Sequence, residues 1–134
     1  MNSELVEIDI ATLRITLAND PSLSTLLDYA DRFERILEGR LDGQPIAVII
    51  LTPIPGYIDS VYAWVHTTEF GRKHKVAIAR LFKRNIGWAQ SKYKRFYAHC
   101  KSNQQNDAWI RFTQAKIDYT NADIVQFVIG DNHG

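Results

Sequence analysis

The stretch WVHTTEFGRKHKVAIARL, Trp64–Leu81, decides how this chain is read. Its start closes a segment, Ile58–His66, in which Tyr62 and Trp64 alternate with Val61, Ala63 and Val65, the period of a strand. Its end opens the longest helical pattern, from about His74 to Lys92. There Ala79, Phe82, Ile86, Ala89 and Tyr93 step by three and four. A turn between a strand and a long helix is a natural anion site, because the first helical amides are unpaired and the helix dipole favours negative charge. Such turns usually carry several glycines. This one has Gly71 and then a run of cations, Arg72, Lys73 and Lys75 around His74.

Working outward, Arg95–Cys100 alternates again and reads as a strand. A strand, a crossing helix and a second strand imply a parallel pair with a right-handed connection. Upstream, Phe33–Leu41 and Pro45–Thr52 flank Asp42-Gly43, a strong hairpin signal because both turn positions favour positive φ. The IAVIIL run suggests burial on both faces. LVEIDI, residues 5–10, reads as a short strand, and Ala11–Ala18 fits either helix or strand. Asp20-Pro21 is a helix start, followed by the apolar face of Leu23, Leu26, Leu27 and Ala30. Asn106–Ala115 reads as a short helix, and Ile117–Tyr119 and Ile124–Ile129 as closing strands. The sum is a mixed α/β sheet flanked by helices, expected as a single domain over residues 1–134.

Bulk composition narrows the function classes. The chain is 46% hydrophobic and 23% charged, the balance of a globular protein. The lone Cys100 forms no internal disulfide, which fits a reducing, cytoplasmic setting. MNSELVEIDI has no apolar core, so no signal peptide is expected. No segment reaches the ~20 apolar residues of a membrane span, so no membrane partner is expected. The net charge of +1 hides a division. Residues 1–69 hold 11 acids and 4 Lys/Arg, whereas residues 70–106 hold 10 Lys/Arg and no acid. The basic block is either a solvated helix face or a surface for phosphate, coenzyme, nucleic acid or an acidic protein face. Trp88, Phe96 and Tyr97 near this block admit stacking on nucleic acid, although alternation in a strand sends at least one of the last two into the core. No cluster has zinc-ligand spacing, and no metal is expected. His99 and Cys100 are adjacent in a strand and face opposite sides, which argues against a nucleophilic dyad.

Three places resemble the Gcn5-related N-acetyltransferase (GNAT) superfamily. In that family a strand leads into Arg/Gln-x-x-Gly-x-Gly/Ala at the start of a helix. Here WVHTTEFGRKHKVA supplies Arg72 first, Lys75 in the glycine position and Ala77 last. RFYAHC follows the long helix as the family's next strand does. NDAWIRFT resembles Asn-x-x-Ala-Ile-x-Phe-Tyr, with Asn106, Ile110 and Phe112 in place and Thr113 in the tyrosine position. The match spans residues 33–129. It implies a GNAT-like mixed, mostly antiparallel sheet with one parallel strand–helix–strand unit. It also implies an acetyl-CoA cleft and N-acyl transfer to an amine. The coenzyme pyrophosphate would meet Arg72, Lys73, His74, Lys75, Val76 and Ala77, the pantetheine arm would follow the strand through Val65, and Asn106 would complete the coenzyme site. His66 and Glu69, and less directly Asp59, are the candidate bases; Tyr97 and Tyr119 are candidate acids in place of Thr113. Trp64 either lines the acyl cleft or packs in the core.

The basic turn, the basic long helix and the shortened N-terminal part look most like small GNAT-like proteins of tailed bacteriophages, some of them internal virion or head-assembly proteins. That likeness implies an alternative, a GNAT fold kept for protein binding with catalysis lost, in a host cytoplasm or a virion. Lys75 separates the readings, since it either reaches a pyrophosphate or fills its site. The open edges of a mixed sheet also admit a homo-oligomer.

Overall fold

A computed structural model of the chain describes residues 2–21, 23–101, 116–120 and 124–130. The elements are β1 (Ser3–Glu7), α1 (Ile10–Thr16), α2 (Leu23–Leu27), a 3-10 turn at Ala30–Arg32, β2 (Arg35–Leu41), β3 (Gln44–Pro53), β4 (Ser60–Thr67), α3 (Glu69–Arg72), α4 (Lys75–Lys92), β5 (Arg95–Lys101), β6 (Lys116–Thr120) and β7 (Ile124–Gly130). The strands form one seven-stranded sheet in the order β1-β2-β3-β4-β5-β7-β6. Every neighbouring pair is antiparallel except β4 and β5, which are parallel. This is the mixed sheet with one parallel strand–helix–strand unit that the sequence implies.

Local chemistry explains the boundaries. Asp42 and Gly43 both adopt positive φ, 50° and 84°, as a two-residue hairpin turn requires. The expected strand over 5–10 is shorter and earlier, because Asp9 caps a helix. Its carboxylate accepts the Thr12 amide at 2.8 Å, and that bond holds the Asp9 carboxyl below its ordinary value. The ambiguous 11–18 segment is thereby helical in its first part. After Asp20-Pro21 the helix is brief, running only Leu23–Leu27. The strand expected from Ile58 begins at Ser60 instead. Pro53, Pro55 and Gly56 lead into further turns in which Asp59 takes φ 63°.

The sheet buries a core on each side. On one face α4 covers Leu37, Ile49, Leu51, Val61, Ala63 and Phe96, with Leu41, Ile46, Ala47, Ile78 and Leu81 beside them. On the other face α1 and α2 cover Ile36, Val48 and Ile50, with Leu13, Leu17 and Trp64. The IAVIIL run is buried throughout, since alternate residues serve the two cores. Each fully buried Leu or Ile stabilises the fold by about 2 kcal/mol. The inward stripe of α4 is broader than the sequence spacing suggests: Ile78 and Leu81 are its most buried side chains.

Glu38 is the charged member of the core, at 1% exposure. It accepts from Arg40 Nε at 2.5 Å and from the Thr16 hydroxyl, so the buried charge is paired and hydrogen-bonded.

Candidate coenzyme and acceptor site

Two features of the β4–α4 unit create a site. The first is a split in the sheet. β4 and β5 pair only at Ser60↔Arg95, Val61↔Phe96 and Tyr62↔Tyr97. Beyond that point β5 continues with β7 as far as Lys101↔Ile124, and β4 continues with β3 as far as Thr67↔Ala47. Among the described residues, Ala63–Thr67 therefore pair with a strand on one edge only. Five extended residues leave roughly 16 Å of backbone edge facing the opening.

The second feature is the start of α4. The first intrahelical bond runs from the Ile78 amide to the His74 carbonyl, at 3.2 Å. The amides of Lys75, Val76 and Ala77 precede it and have no intrahelical partner. His74 occupies the cap position, but its side chain makes no capping bond. Its Nδ1 instead lies 3.0 Å from the Phe70 carbonyl, and its ring packs tilted on Phe70. The long helix thus presents three amides and its positive dipole end at the mouth of the split.

The turn itself differs from the open loop expected. Residues 69–72 form a helical turn, α3. Thr68 builds it: its Oγ1 accepts the Gly71 amide at 2.9 Å and donates to the Pro45 carbonyl at 2.8 Å. Thr68 three positions before a small residue was the available signal. Gly71 is needed for packing, not for anion approach, because a Cβ there would stand 1.9 Å from the Ile46 carbonyl oxygen.

The expected coenzyme residues are gathered here, with distinct roles. Lys73 and Lys75 are exposed, and Lys75 is the first residue of α4. The Lys75 side chain therefore fills no pocket among the described residues. Arg72 is exposed but anchored, its Nη1 donating to the Thr67 carbonyl at 3.2 Å. Val76 is exposed and Ala77 packs inward against the α4 core. Val65 is 41% exposed on the face that α4 covers. Asn106, and with it the motif through Thr113, lies outside the described residues.

On the opposite face, His66 pairs with Asp20, Nε2 to Oδ2 at 2.6 Å. Trp64 stacks parallel to the imidazole, with ring centroids 5.4 Å apart. Trp64 thus joins a core edge to a polar cluster. Glu69, the other candidate base, is exposed on the first turn of α3. Asp59 is remote from both, at the start of β4. Tyr97 and Tyr62 are register partners at the last paired position, where the split begins. Burial raises the Tyr62 phenol above its ordinary value, so it stays protonated at neutral pH. Nothing in the local sequence marked Asp20 or Tyr62, since their importance comes from pairing across the fold.

At the far end of the unit lies a cavity of about 340 Å³ lined by Glu34, Arg35, Tyr57, Asp59, Lys92 and Tyr93 among others. Burial, and then the adjacent Glu34 carboxylate, raise the Tyr93 phenol. No group of residues among those described could hold a metal ion, and no described helix is long and apolar enough to cross a membrane.

No family model and no curated protein matches the sequence. Solved structures do match the fold. The ribosomal-protein-S18-alanine N-acetyltransferase of Escherichia coli superposes with a TM-score of 0.70 at 11% identity, covering 99% of each chain. An acetyltransferase of Bacillus subtilis in complex with CoA gives 0.67 at 15% identity, over 97% of this chain and 98% of that one. A GNAT family acetyltransferase of Elizabethkingia anophelis with acetyl-CoA bound gives 0.67 at 14% identity, over 97% and 99%. The chain thus has the fold of the GNAT acetyltransferases.

Proposed function

We propose that the protein is an acetyl-CoA-dependent N-acetyltransferase acting on an amine. One observation carries the reading: among the described residues the Ala63–Thr67 edge of β4 is unpaired on one side, and only the helical turn α3 separates it from the uncapped start of α4. An acyl-coenzyme A has two parts that suit these two features. Its pantetheine arm contains amides that can bond a strand edge, and its pyrophosphate is an anion suited to the open amides of Lys75, Val76 and Ala77. Lys73 and Lys75 add positive charge beside them, and Arg72 keeps further guanidinium donors beyond its bond to Thr67. Val65 stands where the arm would pass.

In this reading the thioester sits within the split, and the amine approaches from the α1–α2 face. His66 accepts a proton from the amine, whose nitrogen then attacks the thioester carbonyl carbon. The raised phenol of Tyr62, beside Tyr97 at the closed apex of the split, is a source of a proton for the departing thiolate.

The test is thermal stability with and without acetyl-CoA, followed by acetyl transfer to a panel of amines. Binding at 100 times the dissociation constant adds about 2.7 kcal/mol. Stabilisation with transfer supports the enzyme. Stabilisation without transfer or thioester hydrolysis would favour the phage-type reading, a GNAT fold without catalysis. No stabilisation at any concentration would sink the enzyme reading.

A further inference from the structure

We infer that Asp20 is a positioning residue for His66, and that the two act together as the base of the transferase. The inference rests on the acetyltransferase reading above, in which an amine must lose a proton before it attacks. The 2.6 Å contact joins the end of β4 to the connector between α1 and α2. The His66 and Asp20 side chains are 22% and 20% exposed, so solvent reaches the pair without surrounding it. Such a pair is screened less than a surface one.

Two neighbours fix the imidazole in different ways. Trp64 stacks on it with the ring planes 2° apart, which sets its plane. Asp20 sets which ring nitrogen carries the proton. A carboxylate only accepts, so Nε2 bears the hydrogen and the lone pair of the neutral ring lies on Nδ1. That nitrogen receives the proton of the amine. The N–H bond of the substrate ammonium breaks and an Nδ1–H bond forms. The freed lone pair makes the C–N bond and the C–S bond breaks, so that the thiolate leaves with its electron pair; the nitrogen then gives up its second proton, which passes to the thiolate as the amide forms. His66 then returns its proton to solvent. During the step the imidazolium is stabilised by the Asp20 carboxylate, as a base is by its orienting partner in other acyl transfers.

Glu38 lies on the same face, two strands from His66 with Val48 between them, and is paired with Arg40. Arg72 is held at the neighbouring Thr67 carbonyl, and Glu69 is exposed on the next turn.

A merely structural pair would pin the α1–α2 connector to the sheet and do nothing else. The variants Asp20→Asn and His66→Ala separate the cases, with imidazole-labelled NMR and steady-state kinetics on the best amine of a panel. Where no amine is accepted, acetyl-CoA hydrolysis is followed instead. The wild type should show a hydrogen-bonded, exchange-protected Nε2 proton, which Asp20→Asn should lose. His66→Ala should lower kcat about 100-fold or more, and Asp20→Asn about 10-fold or more. Both should leave KM for acetyl-CoA unchanged. A proton on Nδ1 in the wild type overturns the inference, as does an Asp20→Asn kcat within about twofold of wild type while His66→Ala is inactive. In those cases the transferase reading stands. A fully active His66→Ala removes the base itself. Absence of acetyl-CoA binding removes the transferase reading, and the inference with it.

Discussion

The two ends of the β4–α4–β5 unit are made of the same elements and finished in opposite ways. At one end Val61 and Tyr62 are paired on both edges. There α4 closes with the Tyr93 amide bonded to the Ala89 carbonyl at 2.9 Å, and the Lys94 amide reaches the Asp59 carbonyl at 2.6 Å. The Tyr93 ring packs edge-on to Phe96, and its hydroxyl accepts from Arg35 at 3.1 Å. At the other end β4 has one free edge among the described residues, His74 leaves α4 uncapped, and Lys75 and Val76 stand in solvent. A protein that satisfies its polar groups itself at one end and leaves them open at the other has room for a ligand at the second. The open end is nonetheless rigidly seated, since Gly71 lies directly on the β3 backbone.

The largest effect is expected where that seating is broken. Gly71→Ala must move α3 away from Ile46 and should cost about 3 kcal/mol, read as a fall in the denaturant midpoint. Next comes the charge at the open end. Lys75→Glu should weaken acetyl-CoA binding about 30-fold and Lys75→Ala about 5-fold, measured by calorimetry, with little change in stability. Equal binding by all three proteins would place the pyrophosphate elsewhere. At the closed end, Tyr93→Phe should lower stability by about 1 kcal/mol through its lost hydrogen bonds and leave coenzyme affinity untouched. A change in affinity there would erase the contrast between the ends.

The smallest effect concerns alkali. The Tyr62 and Tyr93 phenols are both raised above 10.0 in the folded chain. Unfolded phenols therefore ionise first, so stability is intact below that pH and declines as pH rises through the folded values. Melting temperatures followed from about pH 8 to about pH 11 should fall, and fall less in Tyr93→Phe.

Much of the fold was legible because it is written in local chemistry. Asp42-Gly43 fixes a hairpin, the IAVIIL run announces a strand buried on both faces, and the change of period across Trp64–Leu81 marks the strand–helix unit. The resemblance put a helix start within Arg72–Ala77, and α4 begins there at Lys75, with Arg72 closing α3. What escaped depends on distant partners. Gly71 looks like an ordinary turn glycine until Ile46 is brought beneath it. His66 was a lone histidine until the fold set Asp20 against it. The split after Tyr62 is a property of register, which no single segment encodes. The short helix α3 was missed although Thr68, a good cap, stood in the sequence. Asp9 was passed over in the same way, because the alternation of LVEIDI masked its capping role.

The central claim is that the open end binds an acyl-coenzyme A. It is tested most directly by melting the wild-type protein and Lys75→Glu in parallel over a series of acetyl-CoA concentrations. The wild type should gain about 2.7 kcal/mol at 100 times its dissociation constant, and the variant should gain measurably less at the same concentration. No gain in the wild type, or an identical gain in the variant, would contradict the account.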